Sequence, residues 1–585
     1  MSIRPSWGTL GSLLVVTCLV QAWTIHRAVV PAQDSIRYLT VAQGIARDGL
    51  AAAVRTQPEQ PLFPMLVWLT HALLGQAGHD GPGGWALSVQ LAAAAPLVLS
   101  VAPVYLLFCR LHGRRAATLG ALLFCVLGGF ARLGADGLSD STHLLLFCLA
   151  LWTAAEYFAP PADQRRSAAW LLACGVLTGL ALLARAEAVV LPVAMLASLA
   201  AFQCYWKWRQ PWRAAMRAAG AMMFGLALPL VPYLAASQAG NLDAIAARVL
   251  GRQGALESLP LNDLSPAAND AGPEPKWHTP GVGQLVFGRK DFSASSRFRG
   301  YLPAAVKLAK ELAQTLHYAI GALALAGLWS ARRRLNTPLD RFMQLLCGTL
   351  LIAAIYMAAG GGYLSTRHVL LLVVLGLGWA GVGAVAVGDW LATLTRSVSE
   401  EDQHAQKPDV AQPPSAVLRR RSRPGGTSRG RLVHMPILNR KPGQAILSWS
   451  VAALALATCT GDLLRPLHAS RAAHRDAADW LNANATAAAA VLDSRGWTAL
   501  YTGRKTYRYE AAQAAFRDPS LAYVVVEQAE LDANSRRSET LRLLVAQAGE
   551  PAARFAPEGA EKHGVTVWRW YPERFAQWRV DADAR

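Results

Sequence analysis

An acid with no acidic neighbour, Asp34, follows the first apolar segment, Trp7 to Ile25, in the stretch PAQDSIRYLTVAQGIARDGL. Further along, charge interrupts or borders the longest apolar runs. Asp136 and Asp140 fall in RLGADGLSDST, Arg185 and Glu187 in LLARAEAVV, and Arg367 in YLSTRHVLLL with Tyr363 and His368 nearby. Charges are strongly unfavourable in lipid, so these interruptions belong at a membrane face or in a polar cavity. A carboxylate just outside a membrane span is where an enzyme working on a lipid-borne substrate would keep its base. An arginine at headgroup level is a planar, always-charged donor able to hold a phosphate bidentately.

Structural roles compete with these. Asp34 could cap a helix from Ser35 to Arg47, and Asp140 could cap a span at 141–158. Asp136 and Asp140, four apart, would share one helical face and could shape a pocket or a cation site. Arg185 and Glu187 could simply pair at a tight turn. Arg367, Tyr363 and His368 could anchor a span end at the interface.

The elements that must position these residues are membrane helices. Of the 585 residues 53% are hydrophobic and only 16% charged, with the apolar residues in long continuous runs. A hydrocarbon core of roughly 30 Å needs about 20 apolar residues per helix, which Leu87 to Phe108, Ala215 to Ala236 and Val369 to Leu391 supply. Ala116 to Phe158 and Ala168 to Tyr205 are too long for one span each and must fold back.

Lysine and arginine favour short inside loops. They gather at Arg110 to Arg115, Arg165 and Arg166, Lys207 to Arg217, Arg332 to Arg334, and after Arg396. Threading through them predicts about eleven spans, near 8–26, 88–109, 115–133, 141–158, 169–184, 188–205, 215–236, 311–329, 341–358, 368–392 and 446–464. Pro61 to Leu74 is read as interfacial or re-entrant. The N-terminus is then cytoplasmic, and Asp34, Asp136, Asp140, Arg185, Glu187 and Arg367 share the outer side. A cleaved signal peptide over the first segment is the alternative, and it too leaves Asp34 outside. The net charge of +19 lies largely in the inside loops, and the basic patches lack interleaved aromatics, so nucleic acid is not an expected partner. The eight cysteines lie in or at the ends of apolar runs, with no metal-ligand spacing.

The expected fold class is an all-α polytopic membrane domain followed by a small soluble α/β domain. The membrane domain covers 1–395, with outside loops at 27–87 and 237–310. A basic, disordered cytoplasmic loop at 396–445 leads to the last span, 446–464. The α/β domain, 465–585, is expected outside, with helices near Ala472 to Asn482 and Glu539 to Ala548. Its strands are expected near Ala489 to Leu492, Ala522 to Glu527 and Val565 to Trp570.

The order of these features resembles the C-type membrane glycosyltransferases, in the protein O-mannosyltransferase and lipid A aminoarabinose transferase branch. The resemblance covers roughly Trp7 to Trp390. It rests on the acid after the first span, the proline-led PEQPLFPMLVWL, the acids of GADGLSDSTHLLLF, the RAEAVVLP turn and YLSTRHVLLLVVLGLG. Two departures concern the acceptor: Ser35 stands where a second acid is common, and His368 where a tyrosine is usual.

The resemblance implies transfer of a sugar from a polyprenyl-phosphate donor to a protein, lipid or glycan acceptor on the outer face, with inversion. Asp34 is then the general base and Arg367 the donor-phosphate ligand. Asp136, Asp140, Arg185, Glu187, Tyr363 and His368 become the candidate substrate-binding residues. A divalent cation is compatible with the acids but not required when arginines neutralise the leaving group. The expected location is a cell membrane, the inner one in a bacterium. The competing readings are a multispan transporter or flippase, which would carry mid-membrane charges and internal repeats, and a non-catalytic scaffold of envelope assembly, indifferent to loss of Asp34.

Overall fold

The computed structural model describes residues 5–56, 59–78, 82–159, 167–204, 211–237, 278–279, 283–284, 300–333, 335–361, 364–405, 442–557 and 559–583. Tyr363, most of the loop 237–310 and most of the basic loop 396–445 lie outside the described residues.

The chain is a multi-pass membrane protein. Among the described residues six helices are long and apolar enough to span a membrane, or up to eight if each of two bent pairs is one span. Helix α1 (Trp7–Arg27) starts on Ser6, whose side chain accepts a hydrogen bond from Thr9 N. It is followed by amphipathic α2 (Gln33–Asp48), short α3 (Leu50–Thr56) and α4 (Leu62–Gln76). Helix α5 (Pro82–His112) crosses the core and leads into α6 (Arg114–Val126) and α7 (Gly128–Asp136).

The expected straight span at 115–133 is instead α6 and α7, bent by 47° at Leu127. The carbonyls near the break find polar side chains from neighbouring helices. Ala131 O accepts from Gln21 Nε2 at 3.1 Å and Thr24 Oγ1 at 3.2 Å, and Ala135 O from Gln90 Nε2 at 2.9 Å. That is how an irregular helix becomes tolerable within a membrane bundle. At Gly137 the backbone turns left-handed (φ 68°), the chain reverses, and α8 (Asp140–Phe158) begins. The second long run reverses at Arg185 in extended conformation, between α9 (Ala168–Leu182) and α10 (Val190–Cys204).

Helix α11 (Trp212–Ala236) packs on α9. The expected span at 311–329 is not one straight helix: α12 (Tyr301–Leu316) and α13 (Tyr318–Ala331) meet at 103°, turning at His317 (φ 63°). Lys307, Lys310 and Glu311 make α12 amphipathic, with Ala304 and Leu308 buried, so a continuous crossing would carry charge into lipid. Helices α14 (Pro338–Gly361) and α15 (Leu370–Ala405) complete the bundle, with α16 (Pro442–Ala457) and α17 (Thr460–Leu464) leading out of it.

The bundle is closed by backbone contact at small residues. A side chain at Gly383 of α15 would meet Leu323 O of α13 at 1.9 Å, and one at Gly327 would meet Trp379 O at 2.0 Å. Gly381 stands in the same relation to Ala116 O of α6, at 2.1 Å. Helix pairs in lipid gain from such close approach, where dispersion replaces the missing hydrophobic drive.

Beyond residue 465 the chain forms a five-stranded sheet: β1 (Ala490–Asp493), β2 (Thr506–Arg508), β3 (Leu521–Glu527), β4 (Gly549–Phe555) and β5 (Val565–Trp570), in the order β2-β1-β3-β5-β4. The first three run parallel, and β5 and β4 add antiparallel. The LAYVVV run of β3 before Glu527 is largely apolar because both faces are covered. Val524 and Val526 face Leu541, Leu544 and Phe575, and Tyr523 and Val525 face Ala477 and Leu481 of α18 (Ala472–Asn484). Strands β2 and β4 are additional to those expected. Proline 551 hides β4 in the sequence, yet an edge strand accepts proline, here at a register shift.

Replacing Gly383 by leucine must force α13 and α15 apart. We expect a loss of at least about 1–3 kcal/mol, seen as a lower melting temperature in detergent. Gly8→Leu, where nothing lies within 4 Å, should leave it unchanged. The buried His474 is held neutral down to about 3, chiefly by burial and further by Arg471. An unfolded chain takes up that proton near 6.5, so this contribution is complete above 6.5 and fades as pH falls toward 3, by about 1.4 kcal/mol per unit. Melting curves at pH 7.5 and 5.5 should show a difference that His474→Gln reduces; an undiminished difference would contradict the assignment.

Candidate active site

The site is assembled where helices begin, end or break. Helix α2 starts on Ala32, which is extended and makes no side-chain cap, with Asp34 as the second helical residue. Asp34 therefore does not cap its helix. Its carboxylate oxygen Oδ2 accepts from Arg367 Nη2 at 2.6 Å. Roughly half of the Asp34 side chain, 49%, remains exposed.

Arg367 lies on the 3-10 turn Thr366–Val369 that opens α15. His368 holds that turn: its Nδ1 accepts from Ser365 N at 3.1 Å, while its own backbone N–H donates to Ser365 O at 3.0 Å. The same guanidinium brings Nη1 to 3.7 Å from Asp140 Oδ2. Asp140 is the first residue of α8 and only 4% exposed. The capping position belongs to Ser139, and the Asp140 carboxylate instead accepts from Arg185 Nη1 at 3.0 Å. Arg185 in turn grips Glu187 with two bonds, 2.6 and 3.2 Å. The expected pairing of Arg185 with Glu187 is present, and it is one link of a longer chain: Asp34, Arg367, Asp140, Arg185, Glu187.

Asp136 and Asp140 do not share a helical face, because the left-handed Gly137 ends α7 between them. Asp136 closes α7 and contacts His468 Nε2 at 2.8 Å through Oδ1. Six of the sequence-derived residues, Asp34, Asp136, Asp140, Arg185, Glu187 and Arg367, thus occupy one end of the bundle. Tyr363 falls outside the described residues.

Sequence reading missed three contributors. His468 follows the last span at once, in DLLRPLHASR, and that adjacency is its only signal. Tyr38, one turn after Asp34, reaches Ser139 Oγ at 2.9 Å with its ring edge-on to Phe63. His317, whose positive φ turns α12 into α13, reaches the cavity between these elements. That cavity has a volume of about 500 Å³ and is lined by Asp34, Arg132, Asp136, Gln314, His317 and Arg367 among others. Among the described residues, no group of three or more His, Cys, Asp or Glu side chains is placed to hold a metal ion.

Residues 56–233 match the dolichyl-phosphate-mannose-protein mannosyltransferase family. Over 96% of its length this chain superposes on 98% of ArnT from Cupriavidus metallidurans bound to undecaprenyl phosphate, at 13% identity and a TM-score of 0.56. The chain has the fold of the C-type membrane glycosyltransferases. ArnT in the apo state gives 14% identity and a TM-score of 0.53, with the same coverage. The apo oligosaccharyltransferase of Archaeoglobus fulgidus gives 13% and 0.51, over 94% of this chain and 74% of that one. Compared with curated protein sequences, the chain matches none. Within this C-type fold, the charged residues described above lie where the α7–α8 and α9–α10 connections and the start of α15 converge.

Removing Arg185 leaves the buried Asp140 with only the longer contact to Arg367. Arg185→Gln should lower stability by about 3 kcal/mol, and the double variant with Asp140→Asn should recover part of that loss. Strictly additive losses in melting experiments would refute the coupling.

Proposed function

We propose that this chain is a glycosyltransferase moving a sugar from a polyprenyl-phosphate donor to a protein, lipid or glycan acceptor at the outer membrane face, with inversion. The observation that carries the proposal is the apposition of Asp34 and Arg367, 2.6 Å apart at the edge of a common cavity. A base and a phosphate ligand must flank one anomeric carbon, and these two side chains are close enough to do so.

In this reading the phosphate arriving on its lipid takes the guanidinium donors of Arg367, a planar fork suited to it. The carboxylate of Asp34 gives up its hydrogen bond to Arg367 and turns to the acceptor hydroxyl. The acceptor oxygen attacks the anomeric carbon as its proton passes to Asp34. The bond from that carbon to the phosphate oxygen breaks, and Arg367 stabilises the developing phosphate charge. Asp140, held by Arg185, fixes the far side of the Arg367 guanidinium. Asp136 and Glu187 border the same region and are assigned to the substrate pocket, with His368 fixing the turn beneath it.

ArnT, which shares the fold, was crystallised bound to undecaprenyl phosphate, and this supports a polyprenyl-phosphate ligand here. The proposed topology keeps the eleven-span threading, with the N-terminus cytoplasmic and the domain 465–585 outside. In that arrangement the basic ends of α5 and α13 face inward, consistent with the charge bias of short loops.

Purified protein in detergent should transfer or hydrolyse sugar from a polyprenyl-phosphate donor. Asp34→Asn should reduce this by about 10²–10⁴-fold, with donor binding retained. Arg367→Ala should weaken donor binding as well. Full turnover by Asp34→Asn would overturn the assignment of the base.

A further inference from the structure

We infer that the domain 465–585 positions the catalytic carboxylate, with His468 and Trp497 as positioning residues; this rests on Asp34 being the base. The segment that sets where α2 begins, residues 28–32, has little structure of its own. It is held from outside, and three of its fixings come directly or at one remove from the C-terminal domain and the strand leading into it. Val29 N–H donates to Leu467 O at 3.1 Å, and Ala28 forms an isolated parallel bridge with Leu467. The indole Nε1 of Trp497 donates to Pro31 O at 2.9 Å. Ala32 N–H donates to Asp136 O at 3.0 Å, and the Asp136 side chain is the one His468 holds at 2.8 Å. Two residues beyond Ala32 is Asp34.

Trp497 is 4% exposed and packs with Val30, Ile36 and Leu39, so the same side chain grips both the segment before α2 and the buried face of α2. His468 occupies the left-handed region, φ 55°, which a non-glycine side chain adopts only when its surroundings enforce it. Arg471 enforces it here. Its N–H donates to His468 O at 2.8 Å, its guanidinium sits 5.2 Å from the Trp497 ring, and it is ion-paired with the fully buried Glu527 at the end of β3. The central strand of the sheet is thereby connected through Arg471 to both His468 and Trp497, and through them to the first turn of α2. Arg367 lies on a separate element, the 3-10 turn before α15, with none of these fixings. Weakening the clamp should therefore displace the base while leaving the phosphate ligand in place.

The test uses the full-length protein in detergent with a polyprenyl-phosphate sugar donor. Trp497→Phe keeps the ring but loses the donor to Pro31, and His468→Leu loses the contact with Asp136. Each should lower kcat by about 10- to 100-fold, the effect of misplacing a catalytic group by about 1 Å, with the donor Kd within about twofold of wild type. His468→Gln retains an N–H able to reach Asp136 and should restore most of kcat. Wild-type kcat in both Trp497→Phe and His468→Leu overturns the inference. So does an equal loss of donor binding, or a His468→Gln variant as impaired as His468→Leu, since either marks a general structural role. Asp34→Asn assayed alongside separates the two claims: if it is inactive while the clamp variants are normal, only the positioning role fails, and if it is active the base itself is misassigned.

Discussion

The chain of alternating charges from Asp34 through Arg367, Asp140 and Arg185 to Glu187 is the constraint on which the membrane domain depends. These residues come from four segments separated by up to 333 positions in sequence. Beside lipid an unpaired carboxylate or guanidinium is strongly unfavourable, and a buried charge stripped of its partner destabilises more than most packing defects. The breaks before α8, α10 and α15 must therefore come to the same end of the bundle and to the same depth. Apolar packing alone would allow helices to slide along one another; shared ion pairs at their ends do not.

That requirement explains why the surrounding frame is tight where the site itself is irregular. Glycines at 327, 381 and 383 bring backbones together along α6, α13 and α15, and so fix the helix whose opening turn carries Arg367. On the other flank, Gln21, Thr24 and Gln90 satisfy the carbonyls of the bent α7, so its end can stop at Asp136 and release the chain into the Gly137 turn. Polar side chains in apolar helices here serve backbone geometry, and backbone geometry aims the acids.

Much of this was legible in sequence because it follows from the exclusion of charge from lipid. The two overlong apolar runs had to fold back, and the residues at their interruptions had to share a polar region. The finer misreadings share a cause: local spacing was trusted where long-range contacts decide. Asp34 has the right type for an N-cap, but the helix begins one residue before it, at Gln33, and its carboxylate accepts from a guanidinium 333 residues away. Asp136 and Asp140 have helical spacing, but one glycine in left-handed conformation separates their helices. The turn at His317 lies in a stretch apolar enough to read as one straight crossing, and only the charges on one face of the preceding helix betray the bend. His468 carried no motif, since its role depends on where a distant sheet docks.

The docked sheet also accounts for a cluster of buried charge that lies apart from the cavity. Glu527 and Glu530, at and just beyond the end of β3, are enclosed by Arg471, Arg495 and Arg537, with Arg495 Nε 3.0 Å from Glu527 and Arg537 Nη2 2.8 Å from Glu530. Next to them the buried Asp493, its carboxyl raised by burial, accepts backbone N–H groups from Arg495 and Ala499. Buried ion pairs of this kind contribute little net stability over an apolar core, but they admit far fewer arrangements. An apolar contact at this position would tolerate a rotation of the sheet against the bundle. A set of fixed donors and acceptors at the carboxyl ends of parallel strands does not, and it holds Arg471 in the one orientation from which His468 can reach Asp136.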